Sequence, residues 1–119
     1  MTILRNSLYI ILQLIRRLLQ LVAPVRITAV ELESVAAGRT YQLDPYQVSE
    51  FEDEFRRVTF FPPGKGLYQA VAPDCLIRVR TSRGNFEYEI YGQTVLYDPA
   101  HDDSWQFYFG LVLLDWLNP

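Results

Sequence analysis

The chain has 119 residues, half of them apolar, and a net charge of -3, with one cysteine and one histidine. This length and apolar content predict a single globular domain over residues 1–119 and argue against a disordered or fibrous chain. One cysteine excludes a disulfide within the chain, and one histidine excludes a multi-histidine metal centre. The acidic balance argues against nucleic acid as a partner.

The first 23 residues form a basic, strongly apolar segment that is predicted to be an amphipathic helix over 3–22. At about 100° per residue, Arg5, Arg16 and Arg17 fall in one polar stripe, and leucines and isoleucines cover the rest of the surface. Pro24 ends the helix. Residues 1–30 hold four arginines and no acid, whereas residues 31–119 hold seven basic and fourteen acidic residues, a net charge of -7.

The pattern leaves four roles open for this helix. These roles are a core helix packed on a sheet, a homodimer interface, a membrane-surface anchor and an atypical secretory signal. As an anchor, its arginines would meet anionic headgroups. Arg16 and Arg17 argue against a transmembrane span, because charges in the middle of a span are costly.

The next segments predict two short strands and a second helix. Residues 25–35 are predicted to form a strand with a bulge or two-sided burial near Ala29, and residues 40–43 a short extended piece. Asp44 can cap a helix over 45–57, with Pro45 at its first position and Gln47 at its third. Its apolar stripe faces a core, and its other face is acidic.

Residues 75–97 predict a three-stranded antiparallel meander, because apolar and charged residues alternate through them. A first turn at residues 83–84 would place Arg80 opposite Glu87 and Arg78 opposite Glu89. A second turn at residues 92–93 would place Ile90 opposite Val95. Cys75, at the start of the first strand, reads as a buried apolar residue.

The C-terminal third contains a polar loop and an apolar end. Residues 98–103 place His101 among three aspartates, which are too close together in sequence to define a metal or proton-transfer site, and we predict none. Residues 105–117 are strand or helix, because the aromatic alternation at their start gives way to a continuous apolar run.

We therefore expect an α+β fold, with an antiparallel sheet of four to five strands packed against the two helices. No catalytic motif or cofactor motif is present, so we expect a non-enzyme with no cofactor and no bound metal. The favoured function is protein binding by a small acidic inhibitor in the cytoplasm, such as an immunity protein that neutralises a basic toxin or enzyme. The alternative is a membrane-surface protein anchored by the first helix.

The candidate partner contacts are acidic positions on the second helix and in the polar loop, together with one aromatic residue beside loop glycines. They are Glu50, Asp53, Glu54, Tyr68, Asp98, Asp102 and Asp103. For the membrane alternative, the contacts are Arg5, Arg16 and Arg17.

Overall fold

The computed structural model describes residues 7–15, 26–66 and 71–119. These form three helices and one seven-stranded sheet. In chain order the elements are α1 (residues 7–15), β1 (Ile27–Ser34), β2 (Thr40–Gln42), α2 (Pro45–Thr59), β3 (Gly64–Lys65), β4 (Cys75–Thr81), β5 (Gly84–Tyr91), β6 (Val95–Asp98), β7 (Asp103–Gln106) and α3 (Gly110–Leu117).

The sheet is antiparallel, with the strand order β2-β1-β4-β5-β6-β7-β3. The predicted α+β class is confirmed, but the sheet has more strands than the expected four to five. The additional pairing includes β3, a two-residue edge strand that bonds to β7. An edge strand this short has no alternating pattern in its sequence, so periodicity cannot reveal it.

One face of the sheet forms the core with α2 and α3. Side chains that alternate along the strands pack there against Phe51 of α2 and against Leu113 and Leu117 of α3. The rings of Phe51 and Phe107 meet edge to face at 6.3 Å, which joins α2 to the segment before α3. The opposite face carries the charged residues of β1, β4 and β5.

The second helix forms as the sequence predicts and continues two residues further, to Thr59. The Asp44 carboxylate accepts from the Gln47 backbone at 2.8 Å, and the Gln47 side chain accepts from the Asp44 backbone at 3.0 Å. This reciprocal capping box satisfies two amide groups that the helix itself cannot. The predicted bulge in β1 is also present, between Ile27 and Ala29.

The first helix is present over residues 7–15, and the remainder of the predicted 3–22 segment lies outside the described residues. Over residues 7–15 the helix does not show the expected packing on the sheet, because none of these residues belongs to the core cluster. Its large apolar side chains are instead exposed. A broad apolar face shows that burial of the helix would be favourable, but it does not identify the surface that would cover it.

The predicted register of the first hairpin is wrong by two residues. Arg78 lies opposite Glu87 rather than Glu89, and Arg80 lies opposite Asn85. The turn begins one residue earlier than predicted, since Thr81 pairs with Gly84 and its hydroxyl donates to the Gly84 carbonyl at 2.7 Å. A shift of two residues keeps every side chain on its predicted face.

The second turn differs by one residue, which changes the face of β6. A three-residue turn, in which Gly92 and Gln93 have positive φ, places Ile90 opposite Leu96 rather than Val95. Leu96 is consequently fully buried and Val95 only half-buried. The sequence gives little warning, because apolar residues occupy both positions.

The ambiguous segment 105–117 contains both kinds of structure. Residues 105–106 complete β7, and α3 begins at Gly110. A side chain at Gly110 would meet the Gln93 carbonyl oxygen at 2.3 Å, so α3 can start against the β5–β6 turn only with glycine there.

Candidate functional site

An apolar groove lies on the helix side of the sheet, where the C-terminal half of α2 leaves part of the sheet uncovered. It encloses about 520 Å³. Phe55 and Phe60 line it from α2 and the residue after it, and Phe86, Tyr88 and Trp105 line it from the sheet. This volume is in the range of small-molecule sites, which span roughly 300–1,000 Å³.

The aromatic rings of the groove are held by the fold. Phe55 and Tyr88 pack edge to face with ring centres 5.1 Å apart. The indole N–H of Trp105 donates to the Phe61 carbonyl at 3.0 Å, which holds the ring in the wall of the groove. Phe86 remains 43% exposed at the mouth. The sequence does not reveal this groove, because the alternation of apolar and charged residues reports the face of a sheet but not how far a helix covers it.

One end of the groove is the turn between β6 and β7, where the predicted polar loop lies. Asp98 is only 7% exposed and accepts from the Ala100 amide at 3.1 Å and from the His101 ring nitrogen Nδ1 at 2.8 Å. Asp98 is therefore a structural residue of β6 and does not form part of an exposed contact surface, contrary to the sequence prediction.

Asp103, at the start of β7, is also buried, which corrects the prediction that it faces a partner. It accepts from Lys65 of β3, and this hydrogen bond is the main reason that the pKa of Lys65 is raised. Asp102 is exposed but accepts from the Tyr97 hydroxyl at 2.6 Å, which raises the pKa of Tyr97 to about 12. The cluster of aspartates thus serves mainly to fold its own turn.

On α2, the three predicted partner residues lie on the outer side of the helix. Asp53 is exposed, whereas Glu50 and Glu54 are half-buried, and Arg57 pairs with Glu54 at 3.4 Å rather than with Asp53. Tyr46, which the sequence analysis did not single out, is 74% exposed and hydrogen-bonds to Glu50. This bond raises the pKa of Tyr46.

The charged face of the sheet is organised around Arg78. Its guanidinium donates to Glu31 at 2.7 Å and to Glu33 at 2.9 Å, both on β1, and lies 3.8 Å from Glu87 on β5. These contacts raise the pKa of Arg78, the bond to Glu33 most strongly. The predicted pairs Arg80–Glu87 and Arg78–Glu89 do not lie opposite each other. Arg78 lies opposite Glu87 instead, and its shortest contacts run to β1, a pairing that local sequence spacing does not reveal.

The Tyr9 phenol of α1 is one of the lesser causes of the raised pKa of Lys65 on β3. Lys65 in turn reaches the His101 carbonyl at 3.5 Å, at the end of the groove. The predicted contacts Arg5, Arg16, Arg17 and Tyr68 lie outside the described residues.

The described ranges hold no group of three or more histidine, cysteine, aspartate or glutamate side chains that could bind a metal ion. Cys75 is buried, as expected, and burial raises the pKa of its thiol to about 12. A neutral, inaccessible thiol is a poor nucleophile. Within the same ranges, no helix is long and apolar enough to cross a membrane.

Comparison with known proteins gives one informative similarity. No family model matches the chain, and no curated protein matches it. A crystal structure of a putative lipoprotein from Clostridium perfringens is similar in fold, with a TM-score of 0.51 and 18% sequence identity over 76% of each chain. At this identity the similarity shows a shared fold and nothing about activity.

Proposed function

We propose that this protein is a non-enzymatic binding domain that works at a membrane surface, with α1 lying in the interface and the acidic body in water. The observation that carries the proposal is the exposure of seven large apolar side chains within nine residues of α1, each 44–58% exposed. They are Leu8, Tyr9, Ile10, Ile11, Leu12, Leu14 and Ile15.

A contiguous apolar surface of this kind marks a site at which a protein contacts a partner or a membrane. Burial of apolar area contributes about 25 cal/mol per Å², so a helix that is apolar on most sides gains substantially by leaving water. An interfacial helix achieves this by lying in the boundary between headgroups and acyl chains.

The distribution of charge favours the same orientation. Residues 1–30 carry +4 and residues 31–119 carry -7. An anionic membrane attracts the first segment and repels the second, so the body is directed away from the lipid. The structural neighbour is described as a putative lipoprotein, but that similarity concerns the fold, and the proposal rests on α1.

The proposal is tested by flotation with vesicles of phosphatidylcholine, with and without phosphatidylserine. Arg5→Glu, Arg16→Glu and Arg17→Glu together should lower binding to the anionic vesicles by roughly a hundredfold, since each basic residue near such a surface is worth about 1 kcal/mol. Ile11→Ser with Leu14→Ser should lower binding to both kinds of vesicle.

The matched control reverses three arginines of the body, Arg39, Arg80 and Arg83, which are exposed and distant in sequence from α1. This variant changes the net charge equally and should keep its membrane binding. Equal loss in both triple variants would mean that net charge alone governs binding. Failure of the full chain to float with either vesicle would overturn the proposal.

A second candidate is the inhibitor, such as an immunity protein for a basic toxin, and the outer face of α2 favours it. Tyr46, Glu50 and Asp53 follow one another at helical spacing, so an exposed aromatic side chain stands beside two carboxylates. Aromatic anchors dominate the affinity of many interfaces, and acidic surroundings speed association with basic partners.

This candidate is tested with whichever basic protein co-purifies in stoichiometric amount. Glu50→Lys with Asp53→Lys should slow association about tenfold at low salt and flatten its salt dependence, and Tyr46→Ala should speed dissociation. Glu87→Lys with Glu89→Lys, on the charged sheet face, is the control. If both double variants behave alike, α2 is not the contact surface.

A further inference from the structure

We propose that the apolar groove binds a single-chain fatty acid, with the acyl chain along the groove and the carboxylate at the end nearest the β4–β5 turn. The inference rests on the proposed function, because the membrane would supply the acyl chains. The described residues that line the groove lie between Ile27 and Trp105, and none of them belongs to α1.

The polar groups inside the groove already have hydrogen-bond partners, so binding there does not require a polar ligand. The Thr59 hydroxyl already donates to the Phe55 carbonyl at 2.7 Å, and the Trp105 N–H donates to the Phe61 carbonyl. Among the described residues, no buried side-chain nitrogen or oxygen lacks a hydrogen-bond partner. A ligand body without hydrogen-bonding groups therefore leaves nothing unsatisfied there.

The shape of the groove favours a linear chain. Its lining includes residues of five strands that are successive neighbours in the sheet, from Ile27 on β1, through Val79 on β4 and Tyr88 on β5, to Trp105 on β7. Five strands spaced about 4.8 Å apart span roughly 19 Å. Carbon–carbon bonds of about 1.5 Å advance roughly 1.3 Å per carbon in an extended chain, so about 15 carbons fit this length.

The charges at the two ends of the groove differ in sign, which orients the chain. Arg56 lines the groove, and the backbone carbonyl of Arg26 accepts from Ser82 at 3.1 Å, which places Arg26 beside the β4–β5 turn. Arg83 lies in that turn. Against these stand Glu52, which is 3.6 Å from Arg56, and Glu87 of β5, which also lines the groove. Three arginines against two carboxylates leave the net charge of this end positive.

The other end is acidic. Asp98 lines it, and Asp102 and Asp103 follow in the same turn, with Lys65 as the cation bound there. A carboxylate is repelled from this end and attracted to the arginine end. The methyl end of the ligand therefore points towards Trp105.

The experiment uses the full chain with Trp116→Phe, which leaves Trp105 as the only tryptophan. Fluorescence is titrated with 16-bromohexadecanoate and with 2-bromohexadecanoate, below their micellar concentrations and without vesicles. Bromine quenches only in contact, so the terminal bromine should quench Trp105 saturably at micromolar concentration. The bromine beside the carboxylate should quench it at least threefold less.

Two substitutions with matched controls test the site. Ala100→Phe, at the acidic end of the groove, should weaken binding at least tenfold, whereas Ala36→Phe in the β1–β2 turn should not. Arg26→Gln with Arg56→Gln should weaken binding several-fold, and Arg39→Gln with Arg80→Gln should leave it unchanged. Trp105→Phe, which keeps only Trp116 on α3, should lose the quenching.

Equal quenching by the two bromine positions, equal quenching of Trp116, or unaltered binding by Ala100→Phe would overturn the proposal. Because these titrations contain no membrane, they fail or succeed independently of the vesicle flotation. Flotation without quenching would retain membrane association and reject the fatty-acid site. Quenching without flotation would leave an amphiphile-binding protein and reject the role of α1.

Discussion

The burial of Cys75 is a property of a single residue that the sequence alone predicts correctly. It begins β4, pairs with Ser34 and Ile90 on the neighbouring strands, and is fully buried. The alternation of β4 was sufficient to predict this. The acidic residues Asp98 and Asp103 could not be read in the same way, because their burial depends on His101 and Lys65, which meet them only after β6, β7 and β3 have paired.

Because Cys75 is buried, the stability of the fold varies with pH in the alkaline range. The pKa of its thiol rises from 9.0 to about 12 in the folded protein, with burial as the main cause and Asp74 as a lesser one. The unfolded chain therefore loses the thiol proton at a lower pH than the folded protein does. The contribution of the buried neutral thiol to the free energy of unfolding is complete below pH 9 and is lost as the pH rises towards 12. We expect the free energy of unfolding to fall by up to about 1.4 kcal/mol per pH unit in this window.

The measurement is urea unfolding between pH 8 and 11 for the natural chain and for Cys75→Val. The substitution removes the thiol and keeps the site apolar, while tyrosines such as Tyr97 titrate in both proteins. The natural chain should lose stability more steeply than the variant. Parallel pH profiles would show that Cys75 does not contribute.

At the scale of elements, the cap of α2 was predicted correctly, whereas the positions of the turns and the extent of the groove were not. The α2 cap depends on Asp44, Pro45 and Gln47, which are neighbours in sequence, and it formed as expected. The turns were misplaced by one residue, because hydroxyl bonding at Thr81 and positive φ at Gln93 determine where each strand ends. The extent of the groove was not predictable, since it depends on where α2 ceases to cover β5.

The one-residue difference in β6 has a measurable consequence. Leu96→Ala removes a fully buried side chain and should destabilise the fold by about 2–5 kcal/mol. Val95→Ala acts at a half-buried position on the opposite face and should cost about 1 kcal/mol or less. Midpoints of urea unfolding, at unchanged slope, give both values. The register expected from the sequence requires the reverse order.

At the scale of the whole molecule, the part of the chain that the structure describes leaves two large apolar surfaces exposed to solvent, the face of α1 and the groove. The sequence identified the first as amphipathic but left its role open, because a helix pattern does not specify its partner. Among the described residues, the core cluster is formed by the sheet, α2, α3 and the segments beside them, and it includes no residue of α1. In the described structure, the body therefore forms a core of its own, whereas α1 leaves its apolar side chains exposed.

This separation predicts that residues 26–119 fold without the N-terminal segment. Because no residue of α1 belongs to the described core cluster, the truncated chain should keep the circular dichroism signal of its sheet, α2 and α3, and should melt within about 4 °C of the full chain, equivalent to less than about 1 kcal/mol. It should also lose flotation with vesicles and remain dispersed at higher concentration, because the exposed apolar surface is gone. An unfolded truncated chain would instead make α1 part of the core and remove the premise of membrane association.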